Sequence, residues 1–335
     1  MMSAVGDAVH VLPVINAIKR HKPSAHITWV LQPGPASLVR GHPAVDDIVI
    51  FRRDRGWRAF LDVRRELSRR NFDLLIDFQV YFKAGIVTAL SGAPLRLGFD
   101  RGRARDLNWL FTNRRIPASP VQHVQDQYFE FLRELGISPE PLEWKLGPWG
   151  GEREWQRESV ARIGRQFAAI VVGSSKPAKD WFPDRWAAVC DILENEYEIQ
   201  PVLVGGDSAR EAATAAQIAA AAKRPPVIAL GSGLRRLVSI LDASSLVLAP
   251  DTGPLHMAVA LDRPVISLIG YSDPRRTGPY RKFQDLIIDA YHDPGEDGPV
   301  SMHTRAGRMQ RIKVANVAAR LDLWTERYRA KLSRT

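Results

Sequence analysis

Two α/β units, each built on a parallel sheet, are what this 335-residue sequence predicts. Apolar runs of four to seven residues alternate with amphipathic helical stretches, the rhythm of buried parallel strands and their crossover helices. The length suits two cores better than one. Between them, Leu146-Gly-Pro-Trp-Gly-Gly-Glu152 gathers turn formers without either period, as a linker does.

In the first unit, residues 1–148, strands are expected at Ile27–Leu31, Asp47–Phe51 and Phe72–Asp77. Its start is odd. Ser3–His10 reads as the turn after a first strand and Pro13–Lys19 as the helix that follows, yet the strand is missing, so either the chain starts late or the unit lacks its central strand. The second unit, 149–335, has strands expected at Ala168–Val172, Pro201–Val204, Val227–Leu230, Ser245–Leu248, Pro264–Ile269 and Asp285–Ile288. His292–Pro299 reads as a loop and Val314–Trp324 as an amphipathic helix. Ligands of open parallel sheets bind outside the carboxyl ends of the strands, which directs attention to the strand-to-helix corners.

No apolar run approaches the roughly 18 to 20 residues that span a bilayer, and the N-terminus lacks the charged and apolar regions of a signal peptide. The expectation is a soluble, cytoplasmic protein. The single cysteine, Cys190, lies in a helical pattern and reads as a small buried hydrophobe. A net charge of +10 favours anionic partners, and the arginines crowd the first half, above all at Phe51-Arg-Arg-Asp-Arg-Gly-Trp-Arg58. Nucleic acid is disfavoured, because no exposed aromatics are seen interleaved with those arginines and no binding motif is visible. Arg64, Arg65, Arg69 and Arg70 read as a solvated helix face.

The corner Ala249-Pro-Asp-Thr-Gly-Pro-Leu-His256 follows an apolar strand and opens a helix, offering free N–H groups and the positive dipole end to an anion. Asp251 and Thr252 are expected to cap that helix or reach a hydroxyl, Gly253 lets a ligand approach the backbone, and His256 sits in the first turn. An ordinary cap with a core histidine reads the same octapeptide. A second corner, Val172-Gly-Ser-Ser-Lys-Pro-Ala-Lys179, places two hydroxyls and an ammonium at a strand end before a helix near Pro183, equipment for a diphosphate that a solvated loop lysine would also explain. It is not a Walker A loop. The third, Leu203-Val-Gly-Gly-Asp-Ser-Ala-Arg-Glu211, is an ordinary glycine turn when taken alone. Three such corners point to a nucleotide, and the lack of Gly-x-Gly-x-x-Gly argues against a dehydrogenase. In the first unit, Asp7 stands where the chain enters its first helix, as a cap or a base, and His10 beside it reads first as packing. No motif for metal-dependent hydrolysis is seen.

Ser3–Pro13, His42-Pro-Ala-Val-Asp46, Phe72–Gln79 with Lys83, Ser174–Trp181, Asp251–His256 and Ser272-Asp-Pro-Arg-Arg-Thr-Gly-Pro-Tyr280 together resemble glycosyltransferase family 9, the bacterial lipopolysaccharide heptosyltransferases. The resemblance runs in order over nearly the whole chain. It implies an α/β GT-B architecture of two facing Rossmann-like domains, the first binding the acceptor and the second the nucleotide-sugar donor. It also implies inverting transfer of a heptose from ADP-heptose to the Kdo/heptose inner core of lipopolysaccharide. Matched by motif, Asp7 resembles the general base, while Ser174, Ser175, Lys179, Asp251, Thr252, Gly253 and His256 resemble the donor pocket. Arg52, Arg53, Lys83 and Arg105 fall near basic positions that the family uses for its anionic core acceptor. No protein-bound metal or cofactor is required, and any Mg²⁺ would travel with the nucleotide. Membrane contact would be peripheral, through the basic first unit at the cytoplasmic face of the inner membrane. The chain departs from the family at Val80, where glycine is usual, at Ala84, where serine is common, and at Pro254, which stiffens the helix start. The Gly205–Glu211 stretch aligns ambiguously and leaves Glu211 as the candidate for selecting adenine. Competing readings are an epimerase, a family 9 transferase of another nucleotide sugar, and a non-enzymatic anion- or nucleic-acid-binding protein.

Overall fold

In the computed structural model, which describes residues 1–330, every apolar run named above pairs as a parallel strand. The chain divides after Lys145, three residues before the boundary read from the linker composition.

The first unit runs α1 (Val5–His21), β1 (Thr28–Leu31), α2 (Pro33–Val39), β2 (Asp47–Ile50), α3 (Arg58–Leu67), β3 (Leu74–Ile76), α4 (Phe82–Leu90), β4 (Leu95–Gly98), β5 (Arg114–Arg115) and α5 (Val124–Glu134). Its strands form two sheets, β1-β2 and β3-β4-β5, and among the described residues no strand joins them. The segment Met1–Ser3 lies where such a strand would run. The Gln32 N–H at the end of β1 donates to the Met2 carbonyl at 2.9 Å. On the other side, Gln79 beyond β3 accepts from the Met2 N–H at 3.0 Å and donates to the Ser3 carbonyl at 3.1 Å. The carboxyl ends of β1 and β3 therefore meet at the start of α1.

Ser3–His10 is not a turn. α1 begins at Val5 and runs through Pro13, because Ala8 through Ala17 are all buried and packing overrides the missing proline N–H. Beside this start, Asp77 is a fully enclosed carboxylate that accepts from the Gln79 N–H, the Thr88 hydroxyl and the Asn108 amide at 2.9, 3.1 and 2.9 Å. Burial pushes its carboxyl up against the pull of those donors.

The second unit runs α6 (Glu152–Ile163), β6 (Phe167–Val171), α7 (Pro183–Glu196), β7 (Gln200–Gly205), α8 (Ala209–Ala221), β8 (Val227–Leu230), α9 (Leu234–Ala243), β9 (Leu246–Pro250), α10 (Gly253–Ala260), β10 (Val265–Ile269), α11 (Pro274–Thr277), β11 (Ile287–Asp289) and α12 (Val314–Trp324). One six-stranded parallel sheet has the order β11-β10-β9-β6-β7-β8. From β6 the chain builds outward to β8, then returns to the other side of β6 at β9. The order therefore reverses between β6 and β9, and helices leave those two strands on opposite faces, opening a crevice at their carboxyl ends. β6, β9 and β10 are buried along their whole lengths. Trp186 and Trp324 fill the layer between sheet and helices, with Trp181 edge-on to Trp186 at 4.7 Å.

Replacing Asn108 with Ala removes one of the three donors that satisfy the buried Asp77 carboxylate. The variant is expected to lose about 2 kcal/mol in urea unfolding, and a loss near zero would show that Asp77 is satisfied without it.

Candidate functional site

Asp251 leaves the end of β9 at the β6/β9 crevice, and its carboxylate is almost wholly enclosed. Lys179, from the loop after β6, donates to Asp251 Oδ2 at 2.7 Å and to the Asp251 carbonyl at 3.1 Å. From the segment after β10, the Thr277 hydroxyl donates to the same Oδ2 at 3.1 Å and the Ser272 hydroxyl also bonds it. His256, one turn into α10, brings Nε2 to 3.8 Å from Oδ1. One carboxylate thus ties together the carboxyl ends of three neighbouring strands. The expectation that Asp251 caps α10 is corrected: its oxygens are turned to the lysine and the hydroxyls. Thr252 occupies the N-cap in extended backbone but makes no side-chain cap bond, and Gly253 with Pro254 forms the first turn.

The ammonium groups of Lys176 and Lys179 lie 5.5 and 5.9 Å from the centre of the Tyr271 ring. Lys179 is balanced by Asp251; Lys176 is exposed and has no carboxylate partner among the described residues. Net positive charge at this corner therefore comes from Lys176 and the open end of α10. In the same loop Ser174 is buried and Ser175 exposed. The Ser174 hydroxyl is engaged by Asp180 and the Lys176 carbonyl, both at 2.7 Å, while Arg210 binds the Asp180 carboxylate and the Ser174 carbonyl. The residues expected to form the donor pocket, Ser174, Ser175, Lys179, Asp251, Thr252, Gly253 and His256, thus gather at the ends of β6 and β9.

Glu211 serves the backbone. Its carboxylate accepts from the Gly206 N–H at 2.8 Å and the Ser208 hydroxyl at 2.6 Å, while the Ser208 hydroxyl caps α8 by accepting from the Glu211 N–H. A Cβ at Gly173 would come within 2.6 Å of the Glu211 side chain, so the glycine gives it room.

A loop covers the segment after β10. Asp273 caps α11 through the Arg275 N–H and accepts from the Ser301 N–H at 2.8 Å. Burial works against the Asp273 carboxylate, but Arg275 and these amides hold it below its usual range. Farther along the loop, Arg308 and Arg311 pull Asp293 well below the carboxylate range, and Arg305 takes Glu296 to about 2.

In the first unit Asp7 occupies the third position of α1, where Oδ2 accepts from the Ala4 N–H at 2.9 Å and the Tyr128 hydroxyl approaches Oδ1 at 3.4 Å. The capping role read from its position is present. His10 is buried in a reciprocal pair with Gln125, so it packs. Arg52 and Arg53 follow β2, and Lys83 lies in the first turn of α4. Arg105 joins that corner through its N–H on the Val80 carbonyl at 2.7 Å. All four cations are exposed and have no carboxylate partner among the described residues. The expectation that no exposed aromatics accompany the arginines is corrected, since Trp57, Tyr81 and Phe82 are exposed there. Among the described residues no three His, Cys, Asp or Glu side chains gather as a metal site, and no helix is long and apolar enough to cross a membrane.

The model of glycosyltransferase family 9 (heptosyltransferase) matches residues 60–296. The chain belongs to glycosyltransferase family 9. It is 30% identical over 295 residues to the lipopolysaccharide core heptosyltransferase OpsX of Haemophilus influenzae, covering 87% of this chain and 83% of that one. Lipopolysaccharide heptosyltransferase 1 of Pseudomonas aeruginosa is 29% identical over 297 residues, 84% of this chain and 80% of its own. Among solved structures, the family 9 glycosyltransferase of Veillonella parvula superposes with a TM-score of 0.82 at 19% identity, covering 96% and 95% of the two chains. Heptosyltransferase WaaC of E. coli, solved with ADP, gives 0.72 at 23% identity, covering 98% and 97%. The fold of this family 9 transferase is thus α/β, of the GT-B class.

The support around the expected donor-pocket residues is not legible in the sequence. Ser272 and Thr277 lie in the Ser272–Tyr280 motif, whose pattern gives them no role, and no spacing marks Arg210 or Tyr271.

Lys179→Met leaves Asp251 enclosed without its cation and is expected to cost about 3 to 5 kcal/mol of stability; the Lys179→Met/Asp251→Asn double variant should recover most of it in chemical denaturation. Additive losses in the double variant would show that the two side chains do not act as a pair. Since Asp293 and Glu296 titrate lower when folded, their tethers are complete above the ordinary carboxylate range and fade as pH falls toward 2. Hydrogen exchange of residues 292–305, corrected for intrinsic rates, should be faster near pH 3 than near pH 6; equal protection would contradict the tether.

Proposed function

We propose that the protein transfers a heptose from ADP-heptose, with inversion, to a hydroxyl of the Kdo/heptose inner core of lipopolysaccharide. The observation that carries this reading is the cluster at the ends of β6, β9 and β10. There Lys179 is locked on Asp251, Lys176 stands uncompensated, and α10 opens its N-terminus. Such a corner suits a leaving group that gathers negative charge. The names of the relatives, lipopolysaccharide heptosyltransferases in two organisms, and the presence of ADP in the solved WaaC agree with it.

In this mechanism the Asp7 carboxylate takes the proton of the acceptor hydroxyl as its oxygen attacks the anomeric carbon. The bond from that carbon to the β-phosphate oxygen breaks, and ADP leaves with the electron pair. Lys176, Lys179 and the first amides of α10 take up the charge; Thr252 and Ser175 are left to bond the diphosphate or sugar, and His256 holds Asp251 from the other oxygen. The acidic acceptor is met by Arg52, Arg53, Lys83 and Arg105. No resident metal is assigned a part, and Mg²⁺ would accompany the nucleotide. The enzyme would work in the cytoplasm, where its lipid-borne acceptor places it beside the inner membrane.

Asp7→Asn keeps the cap geometry but removes the base. It is expected to bind ADP-heptose as wild type does while transfer falls by roughly 10²–10⁴, read by mass gain of one heptose on truncated core acceptors. Parallel loss of donor affinity, or transfer at the wild-type rate, would contradict the assignment.

A further inference from the structure

Lys176 stands at the proposed nucleotide corner with no carboxylate to match its charge among the described residues, and its backbone is pinned. Its N–H donates to the Ser174 hydroxyl oxygen at 3.3 Å, and its carbonyl lies 2.7 Å from the same oxygen. That carbonyl also accepts from the Lys179 N–H at 2.9 Å, and Pro177 behind it keeps Lys176 in extended backbone. What remains loose is the four-carbon stem, and the structure lays its ammonium 5.5 Å from the centre of the Tyr271 ring. Tyr271 is itself held. It follows the end of β10, its carbonyl accepts from the Arg305 N–H at 2.9 Å, and the next residue, Ser272, bonds Asp251. The ring is half-buried and its hydroxyl has no partner among the described residues, so the face rather than the hydroxyl makes the contact.

A carboxylate and an aromatic ring orient an ammonium in different ways. Asp251 fixes Lys179 by matching its charge. The negative face of a ring attracts an ammonium through its quadrupole and carries no net charge of its own. We propose that Tyr271 is a positioning residue for the leaving group: its face gathers Lys176 at the corner and leaves that charge whole for the diphosphate. The Lys179 ammonium lies 5.9 Å from the same ring centre, so one ring sets the place of both cations. An aspartate or glutamate at 271 would hold Lys176 as well and cancel it. The proposal rests on the transferase reading for the diphosphate alone, and its test uses no sugar.

The ADP affinity of the full chain is read by calorimetric titration, with adenosine as the ligand that lacks phosphate. Tyr271→Phe is expected to bind ADP within about twofold of wild type and Tyr271→Leu about three- to fivefold more weakly, with adenosine unaffected in both. Pentafluorophenylalanine at position 271 keeps the shape of Phe but reverses the charge of its face, and should lose at least as much as Leu. In the Lys176→Gln background Tyr271→Leu should cost less than about twofold more, because the cation it positions is gone. Melting curves report whether each variant is intact, and the pentafluorinated ring carries the test if leucine disturbs folding. Wild-type affinity for ADP in both the leucine and the pentafluorophenyl variants, an equal loss in Tyr271→Phe, or full additivity with Lys176→Gln would overturn the proposal. A protein that binds ADP in the expected pattern but moves no heptose contradicts the transferase reading alone; a wild type with no affinity for ADP contradicts both.

Discussion

The ion pair between Lys179 and Asp251 is the constraint on which the second unit's candidate site rests. A carboxylate enclosed at a strand end is costly unless it is paired and its remaining valences are bonded. Here the cation comes from the loop after β6, the hydroxyls from the segment after β10, and the carboxylate from β9. Three adjacent strand ends are tied by one oxygen, at the point where the order of the sheet reverses. The pairing also decides which charges remain to receive a ligand. The pair holds Lys179 in place, and Lys176 and the helix end add the net positive charge of the corner.

The first unit is organised by a different device. Its two sheets are bridged by Met1–Ser3 through Gln79 and Gln32, and the buried Asp77 anchors the loop from which Gln79 reaches. This brings the start of α1, and with it Asp7, to the carboxyl ends of the strands. The carboxylate there is oriented by the Ala4 N–H and the Tyr128 hydroxyl. A helix cap and a base make compatible demands, since each requires an ionised, fixed carboxylate at the positive end of a helix.

Long apolar runs were legible because full burial leaves an unbroken signature; β6, β9 and β10 appear within two residues of their expected bounds. β4 was not, because Arg96 interrupts it and sends its guanidinium to the Phe111 and Ala93 carbonyls, and β5 is only Arg114-Arg115. The start of α1 was read as a turn because glycine and proline there speak locally, whereas its burial is a tertiary fact. Among the site residues, the strand-end corners of Ser174–Lys179 and Asp251–His256 were visible as motifs. Their partnership was not: Lys179 and Asp251 are separated by 72 residues, and pairing across a sheet leaves no periodic trace.

The most direct measurement of this account is the affinity of ADP for a Ser272→Ala/Thr277→Val variant, by calorimetric titration. Both substitutions leave Lys179, Lys176 and Asp251 in place and touch the proposed nucleotide corner through the carboxylate they support. If Asp251 needs that support to fix Lys179, ADP should bind about tenfold more weakly, the equivalent of roughly 1.4 kcal/mol. Binding equal to wild type in a variant of unchanged melting temperature would contradict the claim that this carboxylate organises the site.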